Sequence, residues 1–185
     1  MLLNATEKKL TNMFLDLYSQ NELYKIKVKD ICEKAQLSRV TFYTYFEDIE
    51  RLLSFIEETT LSDVREIFKE WEYIDIALVR KGTIPMFKNV YTYVLKNRAV
   101  YKALFGNYGR HEFILSYNNH IKESIYRILE KQNKNEKKIE FVSEACQGCI
   151  TQTSICWIEN NFNYSVEEIS YLCSGCIMAL INTWS

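Results

Sequence analysis

The chain has 185 residues, a mass of 22.0 kDa and a formal net charge of −1, so it is long enough to bury a proper core. A pI near 6.2 argues neither for nor against nucleic acid, because binding would depend on a local patch of charge. One proline and five glycines among 48% hydrophobic residues leave few breakers in a strongly periodic sequence, and the fold class expected is all-α.

The first predicted helix covers residues 6–18, with Leu10, Met13, Phe14 and Leu17 on one face and Lys8, Lys9 and Asp16 opposite. After a connection over residues 19–24 comes the most informative stretch, KIKVKDICEKAQLSRVTFYTYFEDIERLL. Val28, Ile31, Cys32 and Ala35 fall three and four apart and make a short one-sided helix. Ser38 stands as the N-cap of a second helix only three residues after Ala35, which is helix-turn-helix spacing. In that second helix Phe42 and Phe46 suit the core. Arg39, Thr41, Tyr43 and Tyr45 leave a polar and aromatic surface suited to DNA, where hydroxyls and cations meet phosphate and base edges. Lys25, Lys27, Lys29, Lys34 and Arg39 against Asp30 and Glu33 give a local surplus of three positive charges. Such a scatter equally describes a solvated face.

These residues resemble the N-terminal domain of TetR-family regulators, whose pattern is approximately T-V-x-D-I-A-x-x-A-G-V-S-x-x-T-x-Y-x-H-F-x-x-K-E-x-L-L. Val28, Asp30, Ile31, Ala35, Ser38, Thr41, Tyr43, Phe46, Glu50, Leu52 and Leu53 match it. The resemblance implies a DNA-reading set of Lys27, Val28, Lys29, Ser38, Arg39, Val40, Thr41, Tyr43, Thr44 and Tyr45. Four of the departures from the pattern bear on function or stability. Lys27 replaces a capping Thr, at a cost of about 1 kcal/mol. Gln36 replaces the turn Gly, where a left-handed backbone is less comfortable. Tyr45 replaces a His and keeps a hydroxyl, whereas Ile49 replaces a Lys that touches phosphate in the family.

Asp48 can cap a long helix running to about Trp71, a mechanical link from a DNA-binding domain over residues 1–47 into a regulatory and dimerisation domain over 48–185. Residues 74–83 hold the marked interruption, with Gly82 before Pro85 at a first helical position. Helices are expected over 85–96, over 98–105 and over 111–130, the second stopped by Gly106 and Asn107. The run VYTYVLKNRAVYKALFGNYG, followed by an amphipathic helix, also resembles the C-terminal regulatory region of one TetR subgroup. Residues 132–138 read as loop. A helix over 139–160 places Val142, Cys146, Cys149, Thr153, Cys156 and Trp157 on one seam, and Ser165 with Glu168 makes a capping box for the last helix. There Ile169, Leu172, Cys173, Cys176, Leu180 and Trp184 form the seam. That makes about nine helices in all.

Mid-helix Gly148 and Gly175 each cost about 1 kcal/mol relative to Ala, so close approach of another helix is their expected compensation. The interface expected for a four-helix homodimer comprises Cys146, Cys149, Thr153, Trp157, Ile169, Cys173, Cys176 and Leu180. TetR-like proteins pair in a similar way, and a dimer suits two half-sites.

Other chemistry fits less well. Cys146/Cys149 and Cys173/Cys176 are two C-x-x-C pairs, a tetrahedral zinc set by composition, but both lie mid-helix on the apolar seam, where cysteine packs as a small hydrophobe. No metal site and no cofactor is expected. His111 and His120, nine apart, read as exposed polar residues, and no nucleophile, base or phosphate-cradling set points to an enzyme. Tyr91, Tyr101, Phe105, Tyr108, Phe113 and Tyr117 are candidates to line an effector cavity or simply to fill the core. No secretory leader or membrane span is expected, and a cytoplasmic protein with reduced thiols is. The expected function is a homodimeric transcription regulator, a repressor, that binds a double-stranded DNA operator. A small-molecule effector binding among residues 48–130 would release it by shifting the separation of the recognition helices. The alternatives are a protein-interaction coactivator or adaptor with weak DNA binding, and a zinc or thiol sensor built on Cys146, Cys149, Cys173 and Cys176.

Overall fold

The computed structural model describes residues 4–73, 84–131 and 135–182. Within them lie nine α-helices and no strand. They are α1 (Ala5–Tyr18), α2 (Val28–Ala35), α3 (Arg39–Tyr45), α4 (Ile49–Lys69), α5 (Ile84–Lys96), α6 (Arg98–Leu104), α7 (His111–Glu130), α8 (Glu136–Glu159) and α9 (Val166–Asn182). Short 3-10 turns, Leu23–Lys25 and Glu70–Tyr73, precede α2 and follow α4. The breaker stretch at 74–83, with Gly82, and the seam residue Trp184 lie outside the described residues.

The chain packs as two compact units, one of residues 1–60 with 99–113 and the other of 61–98 with 114–185. These packing units divide α4 after Thr60 and α7 after Phe113, and they bring residues 99–113 in with the N-terminal helices. The boundary expected at residue 47 does not coincide with a boundary between these packing units.

In the first unit, Leu10 and Phe14 of α1, Ile31 and Ala35 of α2, Phe42 of α3 and Leu52 and Leu53 of α4 are fully buried. Each comes from the apolar stripe of its own helix, so the short elements are held by a shared core. An ion pair from Lys34 to Asp16, 2.6 Å, adds a surface tie between α2 and α1. The turn after α6 is shaped by Gly109, where an added Cβ would sit 1.9 Å from the Leu104 carbonyl oxygen, so only glycine fits. That turn presents the Tyr108 carbonyl, which accepts a hydrogen bond from the Tyr18 hydroxyl at 2.6 Å, and Arg110, which pairs with Glu50 and Glu57. Burial raises the Glu57 carboxyl above its usual range, against the pull of Arg110.

In the second unit α9 packs on α5 and on α8. Tyr91 of α5 meets Trp157 of α8 edge-on at 5.5 Å, and the Trp157 ring in turn meets Phe162 at 5.0 Å. The Trp157 indole N–H donates to the Tyr164 carbonyl at 3.0 Å and so fixes the turn between α8 and α9. That turn carries Asn161 and Phe162 at positive φ, 55° and 58°. The expected capping box is present, with Ser165 N–H donating to Glu168 at 2.8 Å and Glu168 N–H to Ser165 Oγ at 3.2 Å. α8 begins three residues before its expected start, because Asn135 caps it by accepting the Lys138 N–H at 3.2 Å.

Candidate nucleic-acid interface and pairing face

Helices α2 and α3 are joined by a turn that the sequence makes awkward. Gln36 ends α2 in the left-handed region, φ 53° and ψ 46°, where the family pattern has glycine. The turn closes all the same, with Gln36 N–H donating to Glu33 O and Leu37 N–H to Cys32 O at 3.0 Å. At the other end of α2 the backbone N–H of Lys27 donates to Asp30 at 3.3 Å, while Lys27 makes no side-chain cap, as the missing Thr implies. Ser38 caps α3 by accepting the Thr41 N–H at 3.0 Å, and Asp48 caps α4 by accepting the Arg51 N–H at 2.7 Å.

With Phe42 and Phe46 buried beneath it, α3 turns Arg39, Val40, Tyr43, Thr44 and Tyr45 to the exposed side. Val40 is 78% exposed and Tyr43 57%. Lys27, Lys29 and Ser38 are exposed too, and Val28 and Thr41 are half-buried, so the first unit carries all ten residues of the expected DNA-reading set. Three of the five cations in this stretch already have acidic neighbours. Lys25 pairs with Glu22 at 2.6 Å, Lys29 with Glu33 at 3.5 Å and Lys34 with Asp16. Among the described residues Lys27 and Arg39 carry no ion pair, so the positive surplus is concentrated on them. Tyr24, 79% exposed beneath the Lys25 ammonium, is an outward aromatic that helical spacing did not single out, because it lies in the turn.

The expected pairing seam separates into an inner and an outer side. Cys146, Trp157, Ile169 and Cys173 are buried within the chain's own core and have almost no surface left to offer a second copy. Cys149, Thr153 and Leu180 are half-buried and Cys176 is exposed. The outer side of α8 bears Phe141, 75% exposed, and then Ala145, Cys149 and Gln152. That of α9 bears Leu172, Gly175, Cys176 and Ala179, and no charged residue occurs in α9 after Glu168. An open groove of about 720 Å³ runs along this face, walled by Cys149, Thr153, Cys156, Tyr171 and Leu172. Among the described residues nothing lies within 4 Å of a Cβ built on Gly148 or Gly175, so packing among them does not call for either glycine.

The thiols divide the same way: Cys32, Cys146 and Cys173 are buried, and Cys156 and Cys176 exposed. Hydrogen bonding from Cys173, with help from Thr153 and Cys176, holds the Cys149 thiol below its usual range. Among the described residues no group of three or more His, Cys, Asp or Glu side chains is arranged to hold a metal ion. The effector candidates are divided between the two units. Tyr101, Phe105, Tyr108 and Phe113 belong to the first unit and Tyr91 and Tyr117 to the second. Tyr91, Tyr101, Phe113 and Tyr117 are buried. In the first unit Phe105 stacks on Tyr101 and meets Phe113 edge-on, each at 5.6 Å. His120 is half-buried, unlike the exposed residue expected, because it sits on a packed helix with Arg65 nearby.

Fold and surface together define a helix-turn-helix transcription regulator. A TetR-type family model described as "Transcriptional regulator C-terminal region" matches residues 83–179. The chain belongs to the TetR family of transcriptional regulators. It is 28% identical over 127 residues to the HTH-type dhaKLM operon transcriptional activator DhaS of Lactococcus lactis subsp. lactis (strain IL1403), a match covering 65% of this chain and 61% of that protein. The chain is also similar to the solved structure of a dihydroxyacetone kinase operon activator DhaS, with TM-score 0.63, 23% identity and 98% of each chain covered. A transcriptional regulator (TerR/AcrR family) from Aquifex aeolicus VF5 superimposes with TM-score 0.72 at 17% identity, over 92% of this chain and 96% of that one.

Proposed function

We propose that this regulator binds an operator as a homodimer in the cytoplasm, each copy laying α3 into the major groove of one half-site. The observation that carries the reading is the outward side of α3, which exposes Arg39, Val40, Tyr43 and Tyr45 while Phe42 and Phe46 anchor the helix from beneath. Arg39 and Lys27, without carboxylate partners among the described residues, supply charge for phosphate or guanine. Pairing through α8 and α9 accounts for the uncharged outer side of α9 and for two helix glycines that the single chain does not need. Among the described residues no helix is long and apolar enough to cross a membrane.

The relatives named as operon activators favour activation over the repression expected from sequence. Release or recruitment by a small-molecule effector rests on the family likeness. The test is a fluorescence-anisotropy titration of the DNA flanking the chain's own gene, with excess competitor and at several salt concentrations. Operator binding gives a competitor-resistant component and a steep salt slope. Equal affinity for every duplex would reject it and leave the adaptor reading.

A further inference from the structure

We propose that Val40 is a specificity residue that reads the C5 methyl group of thymine, so that each half-site carries a thymine facing α3. This rests on the operator-binding reading above. α3 has few directional groups to offer a base edge. Between Ser38 and Phe46 there is no Asn or Gln to bridge adenine and no Asp or Glu to accept from cytosine. The hydroxyls are largely committed within the protein. Ser38 Oγ accepts the Thr41 N–H and shares a 2.8 Å hydrogen bond with Thr41 Oγ1, and Thr44 Oγ1 donates to the Val40 carbonyl at 3.0 Å. Directional readout on this side therefore falls to Arg39 and the tyrosine hydroxyls, with guanine the natural partner of Arg39.

Val40 is the most exposed apolar side chain of α3, at 78%. A β-branched residue gains nothing there from helix propensity, and in water its exposure is unfavourable. The major groove presents one apolar group on a base edge, the thymine methyl, and contact with it would remove both from water.

The experiment begins with selection of duplexes from a randomised library by the full chain. Each selected thymine is then replaced by deoxyuridine, which removes only the methyl group, and dissociation constants are measured for the wild type and V40A. Far-UV circular dichroism and thermal unfolding confirm that V40A folds. Burial of one methyl corresponds to about 4-fold in affinity per half-site, or roughly 15-fold when both half-sites are changed. The expected result is one thymine per half-site whose replacement weakens the wild type by that factor, and a V40A protein that binds thymine DNA more weakly and is indifferent to the replacement. If the wild type ignores every replacement, or V40A keeps the methyl dependence, the inference is overturned while operator binding stands. If no sequence is enriched at all, operator binding itself fails.

Discussion

Replacing Gly148 and Gly175 by leucine separates a lone chain from a paired one by the sign of the effect. Both positions are mid-helix with nothing among the described residues within 4 Å of an added Cβ. In a lone chain each substitution exchanges the poorest ordinary helix former but proline for one of the best, a gain of about 0.8 kcal/mol, or roughly 1.5 kcal/mol for the pair. In a dimer whose α8 and α9 approach a second copy at these glycines, each new side chain occurs twice and overpacks the contact by about 1–3 kcal/mol per site. Even at the low end, G148L then loses about 2 kcal/mol of association, a rise of roughly 30-fold in the dimer dissociation constant. Sedimentation velocity over a concentration series reads the association, and thermal unfolding at low concentration reads the chain. The expectation is weaker pairing together with an unchanged or more stable monomer. Variants that are simply more stable and still self-associate like the wild type would refute the reasoning.

Other consequences are equally direct. R39A should lower operator affinity by about 1–3 kcal/mol and flatten the salt slope, and R39K should restore the slope without the sequence discrimination, as read by titration against matched and mismatched duplexes. Q36G should raise stability by about 0.5–1 kcal/mol in chemical denaturation by relieving the left-handed conformation of Gln36, whereas Q36V should lower it. His120 is held below the usual histidine pKa by burial and then by Arg65, so the unfolded chain takes up its proton first. Its contribution is present above about pH 6.5 and is lost as pH falls towards the folded value, and H120Q should flatten that part of the stability curve. Thiol labelling of the native protein at high dilution should find Cys156 and Cys176 fast and Cys32, Cys146 and Cys173 protected, with Cys176 becoming protected as concentration rises and copies pair.

The parts of the fold written in local spacing were readable before any coordinates. The α2–α3 pair and the caps at Ser38, Asp48 and Ser165 follow from signals a few residues long, and the structure places them there. The start of α8 was hidden because Asn135, its cap, sits in a polar run that otherwise reads as loop. The pairing seam was read as one stripe because residues three apart, such as Cys146 and Cys149, lie only about 60° apart around a helix. Apolar spacing marks such a pair but cannot say which member faces the chain's own core when both sides of the helix are apolar. Contacts that depend on distant segments, such as Arg110 with Glu50 and Glu57 or Tyr18 with Tyr108, leave no pattern in spacing.

The central claim is that two copies present α3 to one duplex. The most direct test is the mass, by sedimentation or native mass spectrometry, of the complex formed with a selected duplex in the presence of competitor DNA. The account predicts two chains, or a multiple of two, on a duplex with two half-sites, and none on a duplex whose half-sites are scrambled. Bare duplex at every protein concentration, or one chain per duplex with both half-sites intact, contradicts it.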